Sequence, residues 1–105
     1  MSKYAEILNR IREVVEVIAP NSEVYLYGSR ARGNSKKLSD WDILILIDIT
    51  RISFNLEKKI IDALYDIEIE TGEVISPMIY TKKDWNIKHS FTPLYENISR
   101  EGIRL

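Results

Sequence analysis

Tyr27-Gly28-Ser29-Arg30-Ala31-Arg32-Gly33, then Ser39-Asp40-Trp41-Asp42 running into Ile43-Leu44-Ile45-Leu46-Ile47, is the part of this 105-residue chain that decides its fold. A Gly-Ser turn leaves one apolar segment, a short basic loop follows, and two aspartates open a second apolar segment. Side chains alternate faces along a strand, so Asp40 and Asp42 are expected on one face and Trp41 on the other. The run behind them is almost without polar residues, which suits a strand buried on both sides and therefore central in its sheet.

Two neighbouring carboxylates repel when both are ionised, and a bound cation removes that repulsion. Mg²⁺ takes one or two carboxylates, keeps several waters and completes its shell with phosphate oxygens. Cysteine is absent and the one histidine, His89, is remote in sequence. The ligand type therefore argues for Mg²⁺, with Mn²⁺ as its nearest substitute, over zinc. Val24-Tyr25-Leu26-Tyr27 reads as a short strand, and Gly28 ends it where a side chain would obstruct approach of a phosphate to the backbone. Ser29 offers a hydroxyl and an amide. A helical turn over Arg30 to Arg32 would aim its first amides at the same anion, and Arg30, Arg32, Lys36 and Lys37 add positive charge. The whole makes an anion cradle facing a divalent-metal site, an arrangement suited to a nucleoside triphosphate.

Tyr27-Gly28-Ser29, a ten-residue interval, then Asp40-Trp41-Asp42 resembles the signature of the minimal nucleotidyltransferases within the DNA polymerase β superfamily. The resemblance runs from about Tyr4 to about Tyr80, and its most specific parts are the Gly-Ser-Arg-Ala-Arg-Gly string and Leu-Ser-Asp-Trp-Asp. It implies that Asp40 and Asp42 are the catalytic metal ligands, and that Gly28 and Ser29 grip the β and γ phosphates with Arg30 as a further nucleotide contact. It further implies transfer of a nucleotidyl group, AMP from ATP, to an acceptor hydroxyl supplied from outside. Members of the group often accompany a helical HEPN partner in toxin-antitoxin pairs, so the resemblance implies the antitoxin role and such a partner.

One position departs from the pattern. The superfamily usually carries a third acid on a later strand, and the residue aligned with it in Glu73-Val74-Ile75-Ser76-Pro77-Met78-Ile79-Tyr80 is Ser76. Serine supplies no carboxylate charge. Glu73 falls at the start of that strand on the opposite pleat, while Glu68 and Glu70 belong to the preceding helix end. The rival reading is therefore a nucleotide-binding module that has lost transfer and neutralises a partner by contact.

Working outward, Ile7, Ile11, Val14, Val15 and Ile18 recur at helical spacing over Tyr4 to Ile18, and Pro20 stops them. Leu56, Ile60, Ile61, Leu64 and Tyr65 mark a second core-facing helix, with Gly72 as a left-handed residue past its end. Ile67-Glu68-Ile69-Glu70 alternates like a strand and leaves that boundary open. Glu73 to Tyr80 reads as a third strand, in which Pro77 favours an edge or a bulge over the interior. Thr81 to Asp84 has the spacing of a capping box, and Thr92-Pro93 opens a last helix packed by Leu94, Tyr95 and Ile98. The expected fold is α+β, a small mixed sheet of three or more strands with helices packed on one face, in a single domain over 1–105.

Fifteen basic and sixteen acidic side chains nearly cancel, which disfavours nucleic acid as the main partner. The amino terminus lacks the pattern of a secretory signal, no apolar run is long enough to span a bilayer, and the absence of cysteine suits a reducing compartment. A cytoplasmic protein without a membrane partner is expected. One small domain leaves the acceptor pocket unbuilt, which motivates a protein partner or a homo-oligomer. Trp41, Tyr25, Tyr27 and Tyr65 are read as core, and His89 as having no metal or catalytic duty.

Overall fold

A computed structural model describes residues 2–105, so the opening methionine lies outside them. The chain begins with helix α1 (Lys3–Ile18), strand β1 (Glu23–Tyr27) and the single-turn helix α2 (Ser29–Arg32). Strand β2 (Trp41–Ile47), helix α3 (Phe54–Thr71) and strand β3 (Ile75–Thr81) follow, then α4 (Lys82–Lys88), α5 (Pro93–Glu101) and the two-residue strand β4 (Ile103–Arg104). The sheet order is β3-β2-β1-β4. β1 runs antiparallel to both neighbours, and β2 and β3 run parallel because α3 carries the chain back between them.

Helix starts are set by side-chain oxygens. Ser2, Ser53, Thr81 and Thr92 each accept from a backbone amide three residues on, which satisfies a donor the helix itself cannot. α3 closes on Gly72 at φ 74°, a left-handed conformation that costs glycine little. The Ile67 to Glu70 segment, ambiguous by periodicity, is helical, because Ile67 continues the inward line of Ile60 and Leu64.

α1 and α3 pack on one face of the sheet and form the expected helix layer. Ile7, Ile11 and Val15 of α1 meet Ile60, Leu64 and Ile67 of α3 over Leu26, Trp41, Ile43, Ile45 and Ile47. Each such side chain contributes roughly 1.5–3 kcal/mol by leaving water. Ile61 and Tyr65, expected in this core, are exposed instead, since one helical residue turns the chain by about 100° and carries them past the sheet. The opposite face has its own smaller cluster, where Trp85 of α4 and Ile98 of α5 cover Leu44 and Leu46. Tyr95 packs there too, whereas Leu94 is 38% exposed.

β3 is the open edge, and its chemistry protects it. Trp41 pairs with Ile75 and its N–H donates to the Val74 carbonyl at 2.8 Å, so the amides of Ser76, Met78 and Tyr80 face β2. Pro77 falls on the outward set, where a missing N–H costs no ladder bond. The outward amide of Ile75 donates to Glu68 Oε2 at 2.9 Å, which leaves little template for another strand.

Candidate active site

The register of the sheet builds the site. Asp42 pairs with Tyr27 on one side and with Ser76 on the other, so all three project from the same face in one row. A second row, Tyr25, Leu44 and Met78, and a third, Glu23, Leu46 and Tyr80, continue along that face. Trp41 points the opposite way into the main core at 2% exposure, as the alternation required.

Gly28 is pressed against the Asp42 carboxylate. A Cβ built on it would overlap Oδ2 outright and lie 3.1 Å from Cγ, and its φ of 75° is one that side chains rarely adopt. Asp42 and the bend therefore meet in space. Gly28 also begins α2: its carbonyl accepts from Ala31 and Arg32 at 3.1 Å, ahead of which lie the free first amides expected of a helix start.

Burial, and then the nearby Asp40 charge, push the Asp42 carboxyl up, while Arg32 opposes them. Burial pushes the Tyr27 hydroxyl up to about 12, with the charges of Asp42 and Tyr80 adding to it, so Tyr27 remains a neutral hydrogen-bonding group. A carboxylate held at such a cost stands to gain from a cation. Asp40 and Asp42 supply a hard, oxygen-only pair that fits Mg²⁺ with phosphate oxygens and waters completing the shell.

Ser76 completes the row in place of an acid. Its hydroxyl donates to Asp40 Oδ2 at 3.1 Å, so the residue aligned with the third carboxylate touches the first one and steers it. The other acids nearby are engaged elsewhere: Glu73 pairs with Lys3 at 3.4 Å, Glu70 with Arg10 at 2.6 Å, and Glu68 with the Ile75 amide. Among the described residues no group of three or more His, Cys, Asp or Glu could hold a metal.

Arg30 has a duty the sequence did not disclose. Its guanidinium lies 4.1 Å over the Trp41 ring and donates to the Ser39 carbonyl from Nε at 3.1 Å and Nη2 at 2.7 Å. The guanidinium ties the loop before Asp40 to the core, and Tyr4 reinforces this by donating to the Arg30 carbonyl at 3.2 Å. Arg32, rated below Arg30 from sequence, is the cation that acts on Asp42, and it pairs with Glu101 at 3.6 Å. Only its place three residues after Ser29 on a helical turn hinted at this. His89 lies tilted against Tyr80 at 4.4 Å and stacks on Trp85 at 5.5 Å, a packing role.

With this geometry in view, the comparison with known families is direct, for the family model described as a nucleotidyltransferase domain matches residues 8–101. The chain belongs to the nucleotidyltransferase domain family. Solved structures place this nucleotidyltransferase domain among similar folds. A minimal nucleotidyltransferase, so assigned by its structure's description, shares 23% identity over the whole of this chain and 97% of its own, with a TM-score of 0.61. A crystal structure of a toxin-antitoxin with AMP-PNP contains a chain 18% identical over 91% of this chain and 69% of its own, at a TM-score of 0.64. The toxin-antitoxin MntA-HpeT carrying a double aspartate-to-glutamate substitution matches at 15% identity, again over 91% and 69%, with a TM-score of 0.63. No curated protein matches the sequence. No helix among the described residues is long and apolar enough to cross a membrane.

Proposed function

We propose that this nucleotidyltransferase domain binds a Mg²⁺-nucleoside triphosphate, ATP in the first instance, and transfers its nucleotidyl group to a hydroxyl of an external acceptor. The observation that carries the reading is the packing of Gly28 against Asp42, which brings the Gly-Ser turn onto a carboxylate whose charged form is disfavoured by burial and by the neighbouring Asp40 charge. Asp40 and Asp42 would hold the metal, which when bound supplies charge stabilisation for the phosphoryl oxygens. Gly28 lets the turn close on Asp42, so that Ser29 and the backbone amides at the start of α2 would donate to the leaving phosphates. The acceptor hydroxyl gives up its proton to solvent, its oxygen forms a bond to the α-phosphorus as the bond to the β-phosphate oxygen breaks, and pyrophosphate departs toward α2. Ser76 holds Asp40 in place through its hydroxyl.

The acceptor is proposed to be a toxin of the HEPN type, making this domain the antitoxin, in line with the family resemblance and with the toxin-antitoxin structures that share the fold. Incubation with the neighbour-encoded partner, α-labelled ATP and Mg²⁺ tests this: label on the partner supports transfer. A second reading, contact neutralisation by a nucleotide-bound but inactive module, is favoured by Ser76 alone. It predicts Mg²⁺-dependent ATP binding, partner neutralisation and no label.

A further inference from the structure

The face that carries Asp42 does not end at the acidic row. Beyond it, α4 and α5 stand over Leu44 and Leu46 and leave a partly enclosed cavity of about 320 Å³. That is near the lower limit of ordinary small-ligand sites. Leu44 and Leu46 close its base and are themselves almost fully buried, the Tyr25, Trp85 and Tyr95 rings line its walls, and the rim carries Asn86, Ser99 and the Glu23–Lys82 ion pair at 2.7 Å. Asn86 Oδ1 accepts from the Tyr95 hydroxyl at 3.0 Å, which leaves its amide nitrogen as a donor. A flat ring with a polar edge matches such a lining: ring faces against Tyr25 and Tyr95, edge groups toward Asn86 and Ser99.

Direction favours the same occupant. In-line displacement sets the attacking and leaving oxygens on opposite sides of the α-phosphorus. With the leaving phosphates at Gly28 and Ser29, beyond the Tyr27 end of the first row, the acceptor approaches from the Ser76 end. The nucleoside then departs across that line, and the strands offer it a course toward the cavity. At about 3.3 Å per residue, Leu44 and Leu46 lie about 7 and 13 Å along β2 from Asp42, within reach of a ribose and then a base.

We infer that this cavity is the seat of the nucleoside, with Trp85, Asn86 and Ser99 lining the base. The inference rests on the triphosphate reading above, and the test separates the two. Calorimetry with Mg²⁺ compares ATP with inorganic tripolyphosphate, for the native chain and for Ser99→Trp, which fills the cavity from its exposed rim, and Asn86→Ala. The native chain is expected to prefer ATP by roughly tenfold or more, the scale of one or two well-desolvated contacts. Ser99→Trp removes that preference and Asn86→Ala reduces it, while both retain native tripolyphosphate binding, which also shows that they fold. In NMR spectra of the native chain, the Trp85 indole signal shifts with ATP and stays in place with tripolyphosphate. Equal native affinity for the two ligands, or variants that weaken both alike, overturns the nucleoside seat and leaves triphosphate binding standing. Binding of neither ligand overturns the triphosphate reading and this inference with it.

Discussion

Strand β2 has two faces with opposite characters. Trp41, Ile43, Ile45 and Ile47 are sealed beneath α1 and α3, none more than 2% exposed. On the other face Asp42 is half-buried beside Gly28, and Leu44 and Leu46 are covered by the shorter helices α4 and α5 with a cavity between. The first face stabilises the fold and does nothing else visible. The second holds a carboxylate at a cost, which only a ligand would turn into a gain. Stability and chemistry are thus divided across one strand at a spacing of one residue.

Asp42→Asn should break the contrast most strongly. Loss of the charged metal ligand is expected to cut label transfer by about a thousandfold or more, the range seen when a preorganised charge is removed. The metal-free protein, by contrast, should be no less stable than native in thermal unfolding, and a large drop in stability would contradict the strained-carboxylate account. Ile45→Ala on the sealed face should do the reverse. It should cost roughly 2–5 kcal/mol in chemical denaturation and leave triphosphate affinity per folded molecule unchanged.

Gly28→Ala addresses the meeting point of the two halves. It forces a side chain into a left-handed backbone and into Asp42, with an expected loss of about 1–3 kcal/mol and weakened triphosphate binding. If Gly28→Ala binds and melts like the native chain, the bend is not what positions the phosphates. A pH series sharpens the electrostatic half. The Asp42 carboxyl is raised above its ordinary value, so its unfavourable contribution to folding is fully present above the folded-state pKa and fades as pH falls toward the ordinary aspartate range. Over that acidic window Asp42 itself should add stability to the metal-free protein while Mg²⁺ affinity declines, and Asp42→Asn should lack both trends. The smallest effect belongs to Ser76→Ala, which removes one partly exposed hydrogen bond to Asp40 and should cost about 1 kcal/mol or less in stability. Ser76→Asp should raise Mg²⁺ affinity measurably, and no rise would mean that the row is too narrow for a third carboxylate.

Much of this was legible in the chain. The strand ending at Tyr27, the central apolar strand, the two long helices, the threonine caps and the edge position marked by Pro77 follow from local patterns that tertiary contacts had no reason to override. The short β4 gave no signal, since two residues carry no period, and the exposed placement of Ile61 and Tyr65 depended on which stripe of an apolar helix met the sheet.

By itself, then, the sequence determined the alternation that sets Asp42 apart from Trp41, the glycine that permits a left-handed bend, and the serine where an acid is usual. These are properties of single residues and of their separation along the backbone, and they hold in any fold that makes the segment a strand. Tertiary structure alone decided that Gly28 would press on Asp42, that Ser76 would reach Asp40, and that Arg30 would lie over the Trp41 ring. Those outcomes depend on strand register and on which surface each helix covers, and they are fixed by many weak contacts between residues far apart in the chain.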